Sequence, residues 1–198
     1  MSYVITIGRQ YGSGGRFIAQ ELAKELNIPF YDNELLAKAA VDSGLDKDIV
    51  KSYDEKKDGT FAGFIPSLYG YDMTMGQKVF LAQFEAIKKI ASEGSCIIVG
   101  RCADYVLRDK ENVINVFITA SEEDCVKRCV KYYGVDEKKA LDIIKKTDKK
   151  RANYYNFYTD KKWGKVDNYD LTINSGIGIK ETCAVIKAYV EKKLGENL

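Results

Sequence analysis

The 198-residue sequence contains no histidine. That absence removes every mechanism in which an imidazole activates a serine or cysteine or ligates a metal, and leaves carboxylates, Lys, Arg, Tyr, Cys and backbone amides to carry any chemistry. Paired cysteine patterns are missing as well. Cys96, Cys102, Cys125, Cys129 and Cys183 are odd in number and include no C-x-x-C, so a reducing cytoplasm fits best. No apolar run approaches the roughly 20 residues that cross a bilayer, and the opening MSYVITIGRQYGSGG has too short an apolar stretch for a signal peptide. A large excess of one charge is lacking too: the net charge of +2 is too small to indicate a nucleic-acid binder, so a site for an anion has to be local. Chemistry by positioned charge is what remains.

With 45% hydrophobic and 30% charged residues, the chain can bury one substantial core, and residues 1–198 read as a single domain. Short apolar runs alternate with helical patterns. YVITIG (3–8), IPFYD (28–32), SCIIVG (95–100), NVINVFITA (112–120) and NYDLTINS (168–175) read as strands. Helices are expected over 16–26, 34–44, 77–94, 121–134, 136–160 and 180–195, with a serine cap and two acids opening the fourth. Residues 45–76 lose the pattern and read as an irregular insertion. Buried strands separated by helices predict an α/β protein whose parallel sheet is covered on both faces.

The stretch ITIGRQYGSGGRFIAQELAKEL runs from strand through a glycine turn to helix. Glycines let successive backbone N–H groups turn toward an anion, and the helix that follows adds its positive end. Gly12, Ser13, Gly14, Gly15 and Arg16 are therefore candidates to hold a phosphate, although such turns also merely join strand to helix.

Four separated motifs, ITIGRQYGSGGR, FYDNELL, IIVGRCADYVL and KKTDKKRANYY with NYDLTINS, resemble the cytidylate kinase-like family of P-loop proteins. The resemblance implies a three-layer α/β/α kinase-like fold with a five-stranded parallel sheet, a phosphate-binding core and a helical lid over 136–165. The loop departs from the family's G-x-x-G-x-G-K-G-[ST]. Arg9 stands for the first glycine, Gly15 for the lysine and Phe17 for the hydroxyl residue that would hold Mg²⁺. Arg16 and Arg9 are the nearest cations, and either could take over from the lysine; an arginine binds through a planar fork instead of a point charge. Arg16 has a blander reading as a solvated first-turn residue, disfavoured because a cation there opposes the helix dipole unless an anion is present.

On the acceptor side, Asp32 and Asn33 match the family's sugar- or base-binding pair, and Lys38 stands where the family has an arginine. Asp32 reads equally as a helix cap. Arg101 matches the arginine of the family's DGRD stretch that grips the acceptor phosphate, while Val99 and Cys102 replace its two aspartates. Residues 138–165 hold ten Lys or Arg and three Asp, a local excess that is usually a solvated helix face. By resemblance it is the lid, with Asp148 and Arg151 matching and Ile144 replacing a lid arginine beside Lys145 and Lys146. The aromatics of NYYNFYTDKKWG could stack on a base or seat the lid on the core. Arg128 is a further candidate for charge in the transition state, or else a partner for Asp124 one helical turn earlier.

The resemblance implies ATP-dependent phosphoryl transfer to a small phosphorylated acceptor such as CMP, with Arg16, Arg128 and Arg151 as catalytic candidates. Mg²⁺ is expected with ATP, without an identifiable protein ligand, and neither nucleic acid nor membrane is expected as a partner. The rival reading is a P-loop protein that binds a nucleotide or another anion with little or no kinase activity. If Arg16 has taken over the lysine's charge, Arg16→Ala should weaken ATP binding by about 1.5–3 kcal/mol in calorimetry, the range of a charge-assisted hydrogen bond.

Overall fold

A computed structural model describes residues 2–36 and 75–195. Five strands, β1 (Val4–Arg9), β2 (Phe30–Tyr31), β3 (Cys96–Val99), β4 (Val113–Thr119) and β5 (Leu171–Asn174), form one sheet in the order β2-β3-β1-β4-β5. Every neighbouring pair is parallel. Parallel neighbours need crossovers, and helices supply them, so both faces of the sheet are covered.

The two-residue period of the strands sorts their side chains between the faces. Ile5, Ile7, Ile97, Val99, Ile114, Val116 and Ile118 lie on the face covered by α1 (Gly15–Glu25) and by α6 (Ile179–Leu194), which contribute Ile18, Ala19, Leu22, Cys183, Ile186 and Val190. Val4, Cys96 and Ile98 point the other way, onto Ile87, Ile90 and Ala91 of α2 (Met75–Glu93) and onto Ala103 and Val106 of the short α3 (Ala103–Val106). Thr6 is buried on that second face, where its hydroxyl donates to Asn115 Oδ1 at 2.6 Å across the β1–β4 pair. A buried hydroxyl without such a partner would cost folding free energy.

A third cluster joins α4 (Glu122–Tyr133) to α5 (Glu137–Thr159) through Cys125, Cys129, Ala140 and Ile144. Both helices open on side-chain caps: Ser121 Oγ accepts from the Asp124 amide and Asp136 Oδ1 from the Lys138 amide. Ile144 is therefore a core residue, which accounts for an apolar side chain where the family resemblance led us to look for an arginine.

The three-layer α/β architecture expected from the alternating pattern is the one observed, with shorter strands at the edges. Only Phe30–Tyr31 of the expected 28–32 strand pairs, and Val166–Asn168 forms a 3-10 turn ahead of β5. Residues 33–36 are helical, as expected at the start of the 34–44 helix. The remainder of that helix, Lys38 and nearly all of the 45–76 insertion lie outside the described residues.

Helix α5, expected as the lid, is docked on the core. Tyr155 donates its hydroxyl to Asp104 Oδ2 at 2.6 Å, and Tyr158 stacks on Phe80 of α2 with ring centroids 4.0 Å apart. Trp163, beyond the helix, meets Phe117 of β4 edge-on. The aromatics after the basic stretch thus seat this segment on the sheet and on α2. Burial raises the pKa of Asp104, and the Tyr155 hydroxyl opposes that rise. Tyr155→Phe should therefore lower stability by about 1–3 kcal/mol in urea unfolding, the cost of removing one hydrogen bond from a buried carboxylate. The defect should be greatest where Asp104 is ionised and should shrink as pH falls and its carboxyl takes up a proton.

Candidate functional site

In an open parallel sheet the crevice for ligands lies beyond the carboxyl ends of the strands, where the strand order reverses. There β1 leads into the glycine loop. Gly12 and Gly14 both adopt φ near +80°, a region that favours glycine. A Cβ at Gly12 would also lie 2.6 Å from the Cys125 carbonyl oxygen and 2.9 Å from its Cα. Loop and α4 are in backbone contact, and a side chain would push them apart.

The direction of the loop's peptide groups is set from behind. The Ser13 carbonyl accepts from Ser175 Oγ at 2.6 Å and from Arg128 Nη1 at 3.2 Å, and Arg128 Nη2 donates to the Ser175 carbonyl at 2.8 Å. Arg128 therefore ties the loop to the end of β5 instead of pairing with Asp124. Asp124 Oδ2 accepts from Ser121 Oγ. On the other flank the Tyr11 amide donates to Asp148 Oδ1 at 2.7 Å. The amides of Gly12, Gly14, Gly15 and Arg16 have no acceptor among the described residues. These are the donors that the start of a helix offers to an anion.

Three further arginines, Arg9, Arg151 and Arg101, stand around or beside this loop. Arg9 leaves the end of β1 and runs past Gly15, where a Cβ would lie 2.7 Å from its own Cβ, to end against Gly100 after β3. Arg151 Nη1, on α5, donates to the Arg9 carbonyl at 3.0 Å and lies 3.4 Å from Asp148 Oδ1. Arg101 Nε donates to Asn33 Oδ1, and its guanidinium lies 5.3 Å from the Tyr154 ring centroid. Arg101 and Cys102 follow Gly100 with φ of 56° and 57°. Left-handed backbone at two consecutive non-glycine residues is strained by about 1 kcal/mol or more each, and it sets the direction in which Arg101 leaves the sheet.

Electrostatics at this edge are unsatisfied. The Arg9 pKa is lowered to about 9, by burial first and then by Arg151 and Arg101, with Asp148 and Asp32 opposing. Burial also lowers Arg151 and raises Asp148, so desolvation outweighs the attraction between those two partners. Burial pushes the Cys102 thiol up to about 12, which leaves it protonated and inert as a nucleophile. A negative ligand would reverse the penalty on the guanidinium groups.

Arg16 is placed differently. Its Nη2 lies 2.8 Å from Asp32 Oδ2 and 3.8 Å from Glu34 Oε2, with the side chain 45% exposed. Asp32 meanwhile caps the 33–36 turn, Oδ1 accepting from the Glu34 and Leu35 amides at 3.1 and 3.2 Å. The cap reading of Asp32 and a charge-pairing role coexist on its two oxygens. The structure thus brings together Gly12, Ser13, Gly14, Gly15, Arg128, Asp148 and Arg151 around the loop, and Asp32, Asn33, Arg16 and Arg101 beside it. A shallow surface depression bordered by Gln20, Lys24, Asn27 and Phe30 lies toward the amino-terminal end of β2 and holds none of these groups.

A loop-held Mg²⁺ does not fit this chain. Phe17 occupies the position of the hydroxyl ligand and packs on Tyr132 and Tyr133, with centroids 5.1 and 6.1 Å away. The Ser13 hydroxyl donates to the Gln10 carbonyl. Among the described residues no group of three or more Cys, Asp or Glu is arranged to hold a metal, and no helix is long and apolar enough to cross a membrane. Sequence reasoning missed Ser175, whose only mark is its place at the end of an expected strand, and Gln10, whose side chain accepts from the Ala120 amide at 3.2 Å.

A sequence model of the cytidylate kinase-like family matches residues 4–177. A protein of uncharacterised function from Eubacterium ventriosum has a crystal structure with 36% identity and a TM-score of 0.77, covering 97% of this chain and 99% of its own. Two more distant structures, each 13% identical, share the fold. Shikimate kinase from Bacteroides thetaiotaomicron has a TM-score of 0.58 with 96% and 99% of the two chains covered. A gluconokinase from Sinorhizobium meliloti has a TM-score of 0.56 with 96% and 93% covered. No curated protein matches the sequence.

If Arg128 is a strut for the loop, Arg128→Met should lower unfolding stability by about 1.5–3 kcal/mol, the range for hydrogen bonds to a charged group. A loss of turnover with stability unchanged would place Arg128 at the reacting phosphate instead.

Proposed function

The chain belongs to the cytidylate kinase-like family, and from that premise we propose that it transfers a phosphoryl group from ATP to a small acceptor, CMP being the first candidate. The observation that carries this reading is the set of amides of Gly12, Gly14, Gly15 and Arg16 that have no acceptor among the described residues, placed with Arg9, Arg101 and Arg151 at the carboxyl edge of a parallel sheet. The P–O bond between the γ-phosphorus and the β–γ bridging oxygen breaks. An acceptor phosphate oxygen forms the new bond, and ADP leaves. No protein nucleophile is needed; the work is positioning and charge stabilisation.

In this reading the loop amides hold the donor phosphates. Arg101, with Asp32, Asn33 and Lys38, holds the acceptor, and Asp148 and Arg151 sit between the two. Arg16 is linked to the acceptor side through its pair with Asp32. Mg²⁺ arrives on the donor as part of the substrate. Docking of α5 over the loop excludes water from the charges that change during transfer.

One observation favours a second reading, a nucleotide- or anion-binding protein with little turnover: the Phe17 ring packed on Tyr132 and Tyr133 in place of a metal-binding hydroxyl. A coupled assay of ADP release over nucleoside monophosphates and small alcohols, with and without Mg²⁺, separates the two. Release that depends on CMP and Mg²⁺ is the expected result. ATP binding with no release on any acceptor would favour the second reading, and no ATP binding would remove the kinase reading. In the active case Arg101→Ala should raise KM for the acceptor about ten- to one-hundredfold, with a smaller effect on KM for ATP.

A further inference from the structure

We infer that Arg9 and Gly15 are a reciprocal exchange of the loop's usual glycine and lysine, so that Arg9, and not Arg16, is the cation for the terminal phosphates of a nucleoside triphosphate. The inference rests on the kinase-like reading of the loop and names the residue that completes it.

Three contacts carry it. First, the Arg9 side chain lies across the backbone of Gly15: a Cβ there would be 2.7 Å from Arg9 Cβ and 2.9 Å from Cγ. These are atoms at the root of the side chain, which cannot move aside without moving β1, so position 15 admits no side chain while position 9 carries one. Second, the guanidinium ends against Gly100, where a Cβ would overlap Nη1; Gly100 has φ +75° and precedes Arg101. Arg9 is thus threaded between two glycines, from the end of β1 to the end of β3. Third, Arg9 has neither a hydrogen-bond acceptor nor an ion-pairing carboxylate for its guanidinium among the described residues, and Arg151 grips its carbonyl. Arg16 differs on each count, since Asp32 and Glu34 already balance its charge.

A planar fork on a side chain rooted against the Gly15 backbone suits a polyphosphate, whose adjacent oxygens can be taken two at a time. A cation held without a partner in the free protein also leaves a burial penalty that ligand binding removes. The exchange explains why Gly15→Lys alone would not rebuild a lysine loop: the new Cβ meets Arg9.

The test is calorimetry with ATP and thermal melting without ligand on the wild type, Arg9→Gln, Arg16→Gln, Arg9→Gly, Gly15→Lys and the double variant Arg9→Gly/Gly15→Lys. Arg9→Gln should lose about ten- to one-hundredfold in ATP affinity with a ligand-free melting temperature no lower than wild type, because the side chain has no partner to lose. Arg16→Gln should lose less. The double variant should bind ATP more tightly than either Arg9→Gly or Gly15→Lys. The inference is overturned if Arg9→Gln binds like wild type, if its melting temperature falls along with its affinity, or if the double variant binds no better than Arg9→Gly. Wild-type protein that binds no ATP would overturn the kinase-like reading itself, whereas wild-type binding with an indifferent Arg9→Gln would overturn only the exchange.

Discussion

The direction of one backbone carbonyl organises this edge of the protein. Ser13 has its oxygen drawn toward Ser175 and Arg128, and a peptide plane fixed at one end constrains its neighbours. With that carbonyl turned toward β5 and the Tyr11 amide taken by Asp148, the Gly14, Gly15 and Arg16 amides have no acceptor among the described residues. The sheet places these groups, since the loop begins at β1, Ser175 follows β5 and Arg101 follows β3. Strand pairing is thus what brings distant parts of the chain to one loop.

Positive charge at that edge is arranged in three ways. Arg128 and Arg151 direct hydrogen bonds at backbone carbonyls and so act as struts that also carry charge. Arg16 is neutralised by carboxylates, while Arg101 is oriented by the Asn33 amide oxygen without losing charge. An edge built in this way repels cations and carries a burial cost that an anion would relieve. That balance is common at sites whose electrostatics are completed only by the ligand.

Local periodicity made most of the fold legible in the sequence. Ile5 and Ile7 against Val4, and the spacing of Ile18, Leu22 and their neighbours, are patterns that a strand and a helix must show to bury one face. The capped start of α4 at Ser121 was legible for the same reason. The struts were not. Ser175 and Ser13 are 162 residues apart, Asp148 and Tyr11 are 137 apart, and a side chain bonding a remote peptide group leaves no periodic mark. Arg16 looked like the natural substitute for a lysine because of its neighbouring position. Chain proximity said nothing of Asp32, which β2 brings alongside. The tight passage of Arg9 over Gly15 was invisible because it depends on how the loop returns on itself between them.

All five thiols are buried, and burial raises the pKa of each. They are distributed by layer: Cys183 lies under α1 and α6, Cys96 on the opposite side of the sheet, Cys102 buried at the start of α3, and Cys125 with Cys129 between α4 and α5. An alkylating reagent therefore has nothing to react with until a layer parts. The chain thereby carries a built-in set of chemical clocks, one for each layer. The order in which the cysteines become modified would record which part of the molecule breathes first, without any label being introduced.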